Sequence, residues 1–411
     1  MRKFFLKNST RYYLILVFIL GFLFLSNDFG VTDVQKTAII VAAGIDRQED
    51  TFIVTTQVAI PQSSKQGQAS EAVQIVSRGK TVGEAFEEIN AKTGWYPKLV
   101  FCDLILFGES AKTTDVFESL DFFLRDEYLS DDCNLAVCNG TAKDLLNTSA
   151  LVDPSSSAAM KKVLSSHAER VGTVLPNTLR EFSIGYFSES KSGYLPILTT
   201  EPQQEKIGKN DTKQPRNPNE EETNSSNSEE GKGNDKKTKT EDKPVFSARE
   251  TALFVHGKWV DTLKSNETFA LATILSKLRL ASYTLEGKES ACTLNIRRNS
   301  PSIKLQTSDS DLFTLKVDLD CTAGMLDYSK SQPLDKISDA GDVPKEFFTL
   351  AANKLKGEIE QTYEKCRAIG CDLFGVRERL LKYGKRRFQN RKDNAFSNTR
   401  IQVSVHFKNV R

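Results

Sequence analysis

The chain has 411 residues, with 56 lysines and arginines against 54 aspartates and glutamates, so its formal net charge is only +2. A chain of this length predicts two or three domains, and the near-balance of charge argues against a nucleic-acid partner. Its three histidines, His167, His256 and His406, are far apart in sequence, which argues against a histidine-rich metal site. We therefore expect no nucleic acid, no metal and no cofactor.

Residues 1–33 are predicted to be a basic cytoplasmic tip and a transmembrane anchor. An apolar run over residues 12–25, interrupted by Gly21, follows a segment that carries Arg2, Lys3, Lys7 and Arg11. A run of this length fits either a membrane helix or the core of a cleaved signal peptide. Residues 25–29 (Leu-Ser-Asn-Asp-Phe) make a poor cleavage site and contain no cysteine for lipid attachment, which favours the uncleaved helix.

The predicted anchor crosses the membrane once. Because basic residues stay on the cytoplasmic side, its N-terminus is expected in the cytoplasm and the bulk of the chain outside. A buried amphipathic helix is the alternative, but the run is apolar all round. The predicted lipid-facing residues are Tyr12, Leu14, Ile15, Leu16, Val17, Phe18, Ile19, Leu20, Phe22, Leu23, Phe24 and Leu25.

Residues 34–200 are predicted to form an N-terminal α/β domain. Thr81 followed by Glu84 predicts a capping box at a helix start, and Gly94 predicts the left-handed residue at its end. The next segment, residues 99–107, is apolar on both faces apart from Asp103 and predicts a covered central strand. Further elements are predicted as strands at 37–45, 52–60, 72–76 and 134–138, and as helices ending near 126, following Thr141, and over 154–167.

Residues 201–245 are predicted to be a disordered polar linker. Between about 200 and 243, Ile207 is the only large apolar residue, and the rest is mostly charged or small and polar. Such a composition cannot bury enough surface to offset the entropy of ordering. A charged binding tail is the alternative, but the two signs of charge are mixed, which favours a tether.

Residues 246–411 are predicted to form a C-terminal α/β domain. Strand-like runs on either side of residues 256–258 predict a hairpin, Ser265 or Asn266 is expected to cap the next helix, and Pro344 suits the first turn of a long helix. The remaining predicted elements are strands at 282–285, 292–296, 303–305 and 312–319, helices over 344–369 and 376–388, and a half-exposed strand over 401–407. The predicted class is mixed α/β (α+β), multi-domain, with helices packed on mixed sheets after one transmembrane helix.

The sequence contains no phosphate-binding loop, dinucleotide fingerprint, nucleophile elbow, zinc-protease helix or EF-hand loop. Its seven cysteines permit the pairs Cys366–Cys371 and Cys292–Cys321 in an exported protein, with core thiols as the favoured state. A thiol nucleophile would need a nearby base that the sequence does not place.

Two further features, the basic stretch between residues 377 and 392 and the pair Trp95 and Tyr96, each have two possible interpretations. The basic stretch could contact anionic lipid or a partner, although a solvated helix face is favoured; it comprises Arg377, Arg379, Lys382, Lys385, Arg386, Arg387, Arg391 and Lys392. Trp95 and Tyr96 form either an exposed contact or packing beneath the following strand.

Several segments in this order resemble the Ger(x)C family, the C subunits of nutrient receptors that trigger spore germination. They are residues 38–46 (AIIVAAGID), 77–85 (SRGKTVGEA), 121–126 (DFFLRD), 141–146 (TAKDLL) and 370–375 (GCDLFG). The resemblance implies a membrane-anchored α/β protein without enzymatic activity, beside A and B subunits in the spore inner membrane. Family members carry a lipidated cysteine after the signal peptide; here residues 27–29 (Asn-Asp-Phe) stand there, so a helix is expected to anchor the chain.

The predicted function is therefore that of a non-catalytic, membrane-anchored extracytoplasmic subunit of a germinant receptor, needed for assembly or signal coupling. Its expected partners are the receptor A and B subunits and membrane lipid. The alternatives are a cell-envelope hydrolase with a cysteine nucleophile and a stand-alone envelope scaffold.

Overall fold

A computed structural model describes most of the chain outside the predicted linker. The described residues are 2–25, 37–59, 72–150, 153, 155–165, 172–201, 244–286, 290–307, 312–330, 343–383, 391 and 394–410. Two mixed sheets with helices packed on them confirm the predicted mixed α+β class. Residues 202–243 of the predicted linker lie outside the described residues.

The described elements up to residue 201 are α1 (Arg2–Leu25), β1 (Thr37–Gln48), β2 (Thr51–Ala59), β3 (Val73–Gly79), α2 (Val82–Thr93), β4 (Tyr96–Lys98), β5 (Leu104–Phe107), α3 (Phe117–Arg125), β6 (Asn134–Cys138), α4 (Ala142–Asn147), α5 (Ser156–Val163), β7 (Asn177–Thr178), α6 (Leu179–Phe187) and β8 (Ser192–Glu201). Those after the linker are β9 (Val245–Val255), β10 (Lys258–Leu263), α7 (Ser265–Ile274), β11 (Ala281–Glu286), β12 (Ser290–Thr307), β13 (Phe313–Lys330), α8 (Lys345–Ala368), α9 (Val376–Tyr383) and β14 (Thr399–Asn409).

The first sheet has ten strands among the described residues, in the order β10-β9-β8-β6-β5-β1-β2-β3, with β4 beside β1 and β7 beside β6. Its centre is parallel, because β1, β5, β6 and β8 pair in parallel, and its outer strands pair antiparallel. Core side chains lie on both faces: Ile105 and Phe107 belong to one cluster, Leu104 and Leu106 to another. This double burial is why β5 is apolar throughout.

The two strands that flank the linker are neighbours in the first sheet. Strand β8 pairs antiparallel with β9, and Glu201 lies opposite Val245 at the ends of the two strands. Strand β9 then turns into β10 through His256 and Gly257, whose φ angles of 49° and 72° are both left-handed. Positive φ at both central residues is the geometry of a tight hairpin turn, and it confirms the predicted hairpin.

Helix α2 begins and ends as its sequence predicts. The Thr81 hydroxyl accepts a hydrogen bond from the Glu84 backbone N–H (3.1 Å), and Gly94 closes the helix in the left-handed region at φ 72°. The Glu84 carboxylate reaches one residue further back than a capping box requires, since it accepts from the Lys80 N–H (2.6 Å). The predicted cap and helix end are confirmed with this one shift.

The predicted strand over residues 99–107 is wrong in its first half. The structure has a short strand before it, a turn closed by a hydrogen bond from the Cys102 N–H to the Leu99 carbonyl (2.8 Å), and then β5. Val100 and Phe101 form the tip of this turn and are 47% and 59% exposed. The apolar run hides the turn because these tip residues are themselves apolar.

The second sheet, in the order β11-β12-β13-β14, has helices on one face. Alternate residues of β13, such as Leu315, Val317 and Leu319, are buried in a core shared with Leu355 and Ile359 of α8. The opposite face is mostly polar. The predicted long helix and the alternating final strand are confirmed by α8 and β14.

One predicted helix limit in this half needs correction. Lys264 precedes α7 in place of Ser265 or Asn266, because the Glu267 carboxylate accepts from the Lys264 N–H (2.8 Å) and supplies the cap. Helix α9 ends at Tyr383, and the rest of the predicted helix lies outside the described residues.

The structure does not support the predicted transmembrane span. Helix α1 forms, but among the described residues no helix is both long and apolar enough to cross a membrane. The physical reason lies in its sequence: charged and polar residues occupy the part before Tyr12, and a span needs about 20 predominantly apolar residues.

Candidate functional site

A cleft of about 330 Å³ lies where the segment around α6 and β8 meets residues from the C-terminal half of the chain. On one side it is lined by residues between Asn177 and Tyr194. On the other it is lined by Leu275 and Lys277, which follow α7, and by the connection between α8 and α9. We call this site the cleft.

The first wall of the cleft is built by close packing of α6 on β8. Thr178 caps α6 by accepting a hydrogen bond from the Glu181 N–H (3.3 Å). A Cβ at Gly185 would overlap the Ser192 carbonyl oxygen, and one at Gly193 would lie 2.7 Å from the Phe182 ring. Glycine at these two positions therefore allows the helix to lie directly against the strand.

Asp372 anchors the second wall. Its carboxylate accepts hydrogen bonds from the backbone N–H groups of Val376 (2.9 Å) and Arg377 (2.8 Å), which are the first two residues of α9. The side chain is 2% exposed, and burial raises its pKa while these two N–H groups oppose the rise. The carboxylate thus satisfies helix donors that would otherwise be left without acceptors.

Hydrogen bonds tie the two walls together. The Ser192 hydroxyl accepts from the Asp372 N–H (3.0 Å), and the Ser190 N–H donates to the Glu378 carboxylate (3.1 Å). The Arg377 guanidinium in turn donates to the Ser190 carbonyl (3.2 Å). These contacts join residues about 180 positions apart in sequence, and all of them are polar.

Lys277 makes a further link across the cleft. Its ammonium pairs with the Glu181 carboxylate, donates to the Pro176 carbonyl (3.4 Å) and lies 5.6 Å from the centre of the Tyr194 ring. Burial acts to lower the pKa of Lys277, but Tyr194 and Glu181 outweigh it and raise the pKa overall. For the Tyr194 hydroxyl, by contrast, burial raises the pKa. The ammonium is therefore held charged in a half-buried position.

The cleft offers positioning groups rather than a reaction centre. Its cation and its carboxylates are already bound to one another or to backbone groups, and no nucleophile with a free base lines it. Among the described residues, no group of three or more histidine, cysteine, aspartate or glutamate side chains could hold a metal ion. His167 lies outside the described residues.

The cysteines do not form a nucleophilic site. All seven are free and buried, and burial raises the pKa of Cys321 and of Cys366 to about 12. The pairing considered for Cys292 and Cys321 is wrong, since Cys292 lies opposite Tyr328 and Cys321 opposite Asn299.

Two other pairs of neighbouring cysteines also bear on whether the cysteines form a disulfide or a nucleophilic site. Cys366 and Cys371 are both free thiols, and their backbones are joined by an N–H to carbonyl bond of 2.9 Å. Cys102 and Cys133 lie side by side, and that contact together with burial raises the pKa of Cys133 well above its usual value. No local pattern indicates this pair, because the two residues precede different strands.

The other predicted site residues form two groups, the anchor residues on α1 and the basic stretch around α9. Of the predicted anchor residues, those from Tyr12 to Phe22 are exposed on α1, and the side chains of Leu23, Phe24 and Leu25 lie outside the described residues. In the basic stretch, Arg379 donates to the carbonyls of Phe374 and Gly375. Lys385, Arg386, Arg387 and Lys392 are outside the described residues.

Sequence reasoning missed the residues that join the cleft walls. Ser192 is one serine among many, Lys277 one lysine among many, and nothing local distinguishes them. Asp372 could have been predicted as a helix cap, because it precedes a helix start and lies in the segment 370–375 that carries a family resemblance.

Comparison with known proteins gives a consistent result over both halves of the chain. Residues 30–200 match the model described as spore germination protein N-terminal domain, and residues 249–411 match the model described as spore germination B3/GerAC-like, C-terminal. Among solved structures, the chain is similar to the crystal structure of the GerBC protein, with a TM-score of 0.52 and 15% identity. The match covers 90% of this chain and 97% of that chain, and at this identity it is a likeness of fold. A search of curated proteins gave no match.

Proposed function

Because the chain belongs to the Ger(x)C family of spore germination proteins, we propose that it is a subunit of a germinant receptor, acting outside the cytoplasm beside A and B subunits. Members of this family are non-catalytic, and the prediction that the chain is not an enzyme is confirmed on that ground. We also propose that the chain acts at the spore inner membrane and that the A and B subunits are its partners there.

The cleft supports a role in coupling. Its two walls belong to the two segments matched by separate family models, and the bond between Ser192 and Asp372 is one of several that join them. The two segments are also joined by the pairing of β8 with β9 and by an apolar core that Tyr194 shares with Leu253. The cleft is thus the polar part of a larger contact, and polar contacts between packed units permit more relative motion than close-packed apolar ones do. We infer that a partner bound to one half shifts that half against the other, and that the shift is transmitted through the cleft.

Helix α1 supports attachment to lipid. Its apolar side chains from Tyr12 to Phe22 are exposed, and Phe18, for example, is 77% exposed. An apolar helix surface of this kind is stable only when another apolar medium covers it. We propose that membrane lipid covers it, with Arg2, Lys3, Lys7 and Arg11 of the same segment drawn to anionic headgroups.

The proposed role is tested by isolating the full chain, tagged at its C-terminus, from sporulating cells in mild detergent and identifying the proteins recovered with it. Recovery of two further receptor subunits, one of them a multi-span membrane protein, is the expected result. Recovery of the chain alone from membranes that contain those subunits would contradict the receptor role and favour a stand-alone scaffold.

A further inference from the structure

Exposed apolar residues cluster at one turn of the first sheet. Val100 and Phe101 form the tip of the turn that links β4 to β5, and the residues on either side of them, Leu99 and Cys102, are each 2% exposed. The buried pair holds the turn rigidly in the core while its apolar tip faces outward. A tip of this kind costs solvation free energy unless something apolar covers it.

Aromatic residues surround this tip. Trp95 and Tyr96, immediately before it, are 40% and 50% exposed, and Tyr128 is 56% exposed. The Lys98 ammonium lies 4.7 Å from the centre of the Tyr128 ring, which places the two segments side by side. We call the five residues Trp95, Tyr96, Val100, Phe101 and Tyr128 the edge patch.

The edge patch lies at the end of the sheet where the chain arrives from α1. Strand β4 runs parallel to the start of β1, with Tyr96 opposite Thr37, the first residue of β1. Strands β5 and β6 also begin at this end, where the Asn134 N–H donates to the Asp103 carbonyl (2.9 Å). Residues 26–36 connect α1 to β1, and a segment of this length spans at most about 40 Å when fully extended.

We propose that the edge patch rests on the membrane surface to which α1 attaches the chain, with Trp95 and Phe101 at the level of the lipid headgroups. The proposal rests on the proposed lipid attachment of α1, because that attachment keeps this end of the sheet close to the bilayer. Trp and Tyr side chains favour the membrane–water interface, where an apolar ring and a polar atom are both satisfied.

The charge of residues 94–102 also fits contact with a lipid surface. Between Gly94 and Cys102 the one side chain charged at neutral pH is that of Lys98. Its ammonium lies against the Tyr128 ring, and its long stem can carry the charge to the headgroups. The nearest carboxylate along the chain, Asp103, is paired with Lys161. Along residues 94–102 a lipid surface is therefore met by rings and one cation, while the exposed carboxylate of Glu127 is next to Tyr128 in the chain.

The chain contains its own reporter for this contact. It has two tryptophans, and Trp259 is 5% exposed with its ring N–H bound to the Asp261 carbonyl (2.9 Å). Only Trp95 is accessible to lipid. The full chain is mixed with vesicles of phosphatidylethanolamine and phosphatidylglycerol, with and without acyl-chain bromine as a quencher, and vesicle binding and tryptophan emission are recorded together.

Binding with quenched, blue-shifted emission is the expected result, and the quenching should vanish in Trp95→Phe. Phe101→Asp should weaken vesicle binding about tenfold or more, because a charge replaces an apolar ring at the interface. Leu326→Asp is the matched control, since Leu326 is 56% exposed on β13 in the second sheet, and its binding should be unchanged.

The outcomes separate this proposal from the attachment on which it rests. Vesicle binding without quenching of Trp95 would overturn the edge patch as a lipid contact while leaving attachment through α1 intact. Absence of vesicle binding would overturn both. A third outcome is that vesicles do not quench Trp95, but receptor subunits shield it from an aqueous quencher. That result would also overturn the edge patch as a lipid contact, and it would identify a protein partner.

Discussion

Asp46 and Asp372 solve the same local problem in two regions of the molecule. Each carboxylate is buried and accepts two backbone N–H groups at a helix start: Asp46 those of Ala142 and Lys143, Asp372 those at the start of α9. Burial raises the pKa of both, against the effect of the N–H groups. The physical chemistry of the two caps is alike.

Their surroundings differ. Asp46 joins the end of β1 to α4 inside one family-matched segment, and Gly108 leaves no Cβ that would collide with its carboxylate. Asp372 lies at the cleft, and its own N–H donates to Ser192 of the other segment. The same kind of cap thus holds a helix start within one segment in the first case and at the contact between two segments in the second.

The largest effect is expected for Asp46→Ala, which leaves two buried N–H groups without an acceptor. The free energy of unfolding should fall by about 2 kcal/mol, measured by urea denaturation. Asp320→Ala, at an exposed position on β13, should change it by less than about 0.5 kcal/mol. Equal changes in the two variants would show that Asp46 is not a structural cap.

Asp372→Ala is expected to cost about 1–2 kcal/mol and to act locally. Amide hydrogen exchange should accelerate in α9 and around Ser192, because both lose a fixed partner. Exchange in β1 and β5 should stay unchanged. Acceleration spread evenly over the first sheet would contradict the distinction between the two caps.

Lys277→Met removes the ion pair with Glu181 and the ring contact with Tyr194. Because the pair is partly exposed, the expected loss is below about 1 kcal/mol. The raised pKa of Lys277 sets the pH dependence: its stabilising effect is full below the ordinary lysine value of about 10.4 and is lost as the pH rises through the raised value.

Alkaline unfolding of wild type and Lys277→Met measures this difference, which should narrow above about pH 10.4. The pKa of Tyr194 is also raised by burial, so Tyr194→Phe is needed to separate the two groups. A difference that stays constant through the alkaline range would show that Lys277 gains nothing from its charge.

The smallest effect concerns pH and the two carboxylates. A raised pKa means that the folded state holds the proton more tightly than the unfolded state does. Wild-type stability should therefore fall, relative to Asp46→Asn and Asp372→Asn, as the pH rises from about 3.9 through the raised value, and the difference should level off above it. A relative gain in wild-type stability over that range would reverse the sign of both pKa shifts.

How far sequence reasoning reaches depends on whether the signal is local. Thr81, Glu84 and Gly94 are close together in sequence, and the helix they predict is confirmed. The alternation over residues 401–407 likewise predicts β14, because a sheet with one solvated face requires it. Hydrophobic patterning failed at Val100 and Phe101, where an exposed turn has the composition of a buried strand.

The cleft could not have been predicted, because no local rule connects Ser192 to Asp372, 180 positions away. Ser192 is placed by β8 of the first sheet, and Asp372 is placed by the connection between α8 and α9. The family resemblance located the segment 370–375, but not the residue it touches.

The most direct test of the account measures nutrient-triggered germination of spores whose chain carries Ser192→Ala. The matched control is Ser302→Ala, at an exposed position on β12. The account predicts that both variants are recovered with the receptor subunits in wild-type amounts, and that only Ser192→Ala slows germination. Normal germination in Ser192→Ala at wild-type abundance would contradict coupling through the cleft.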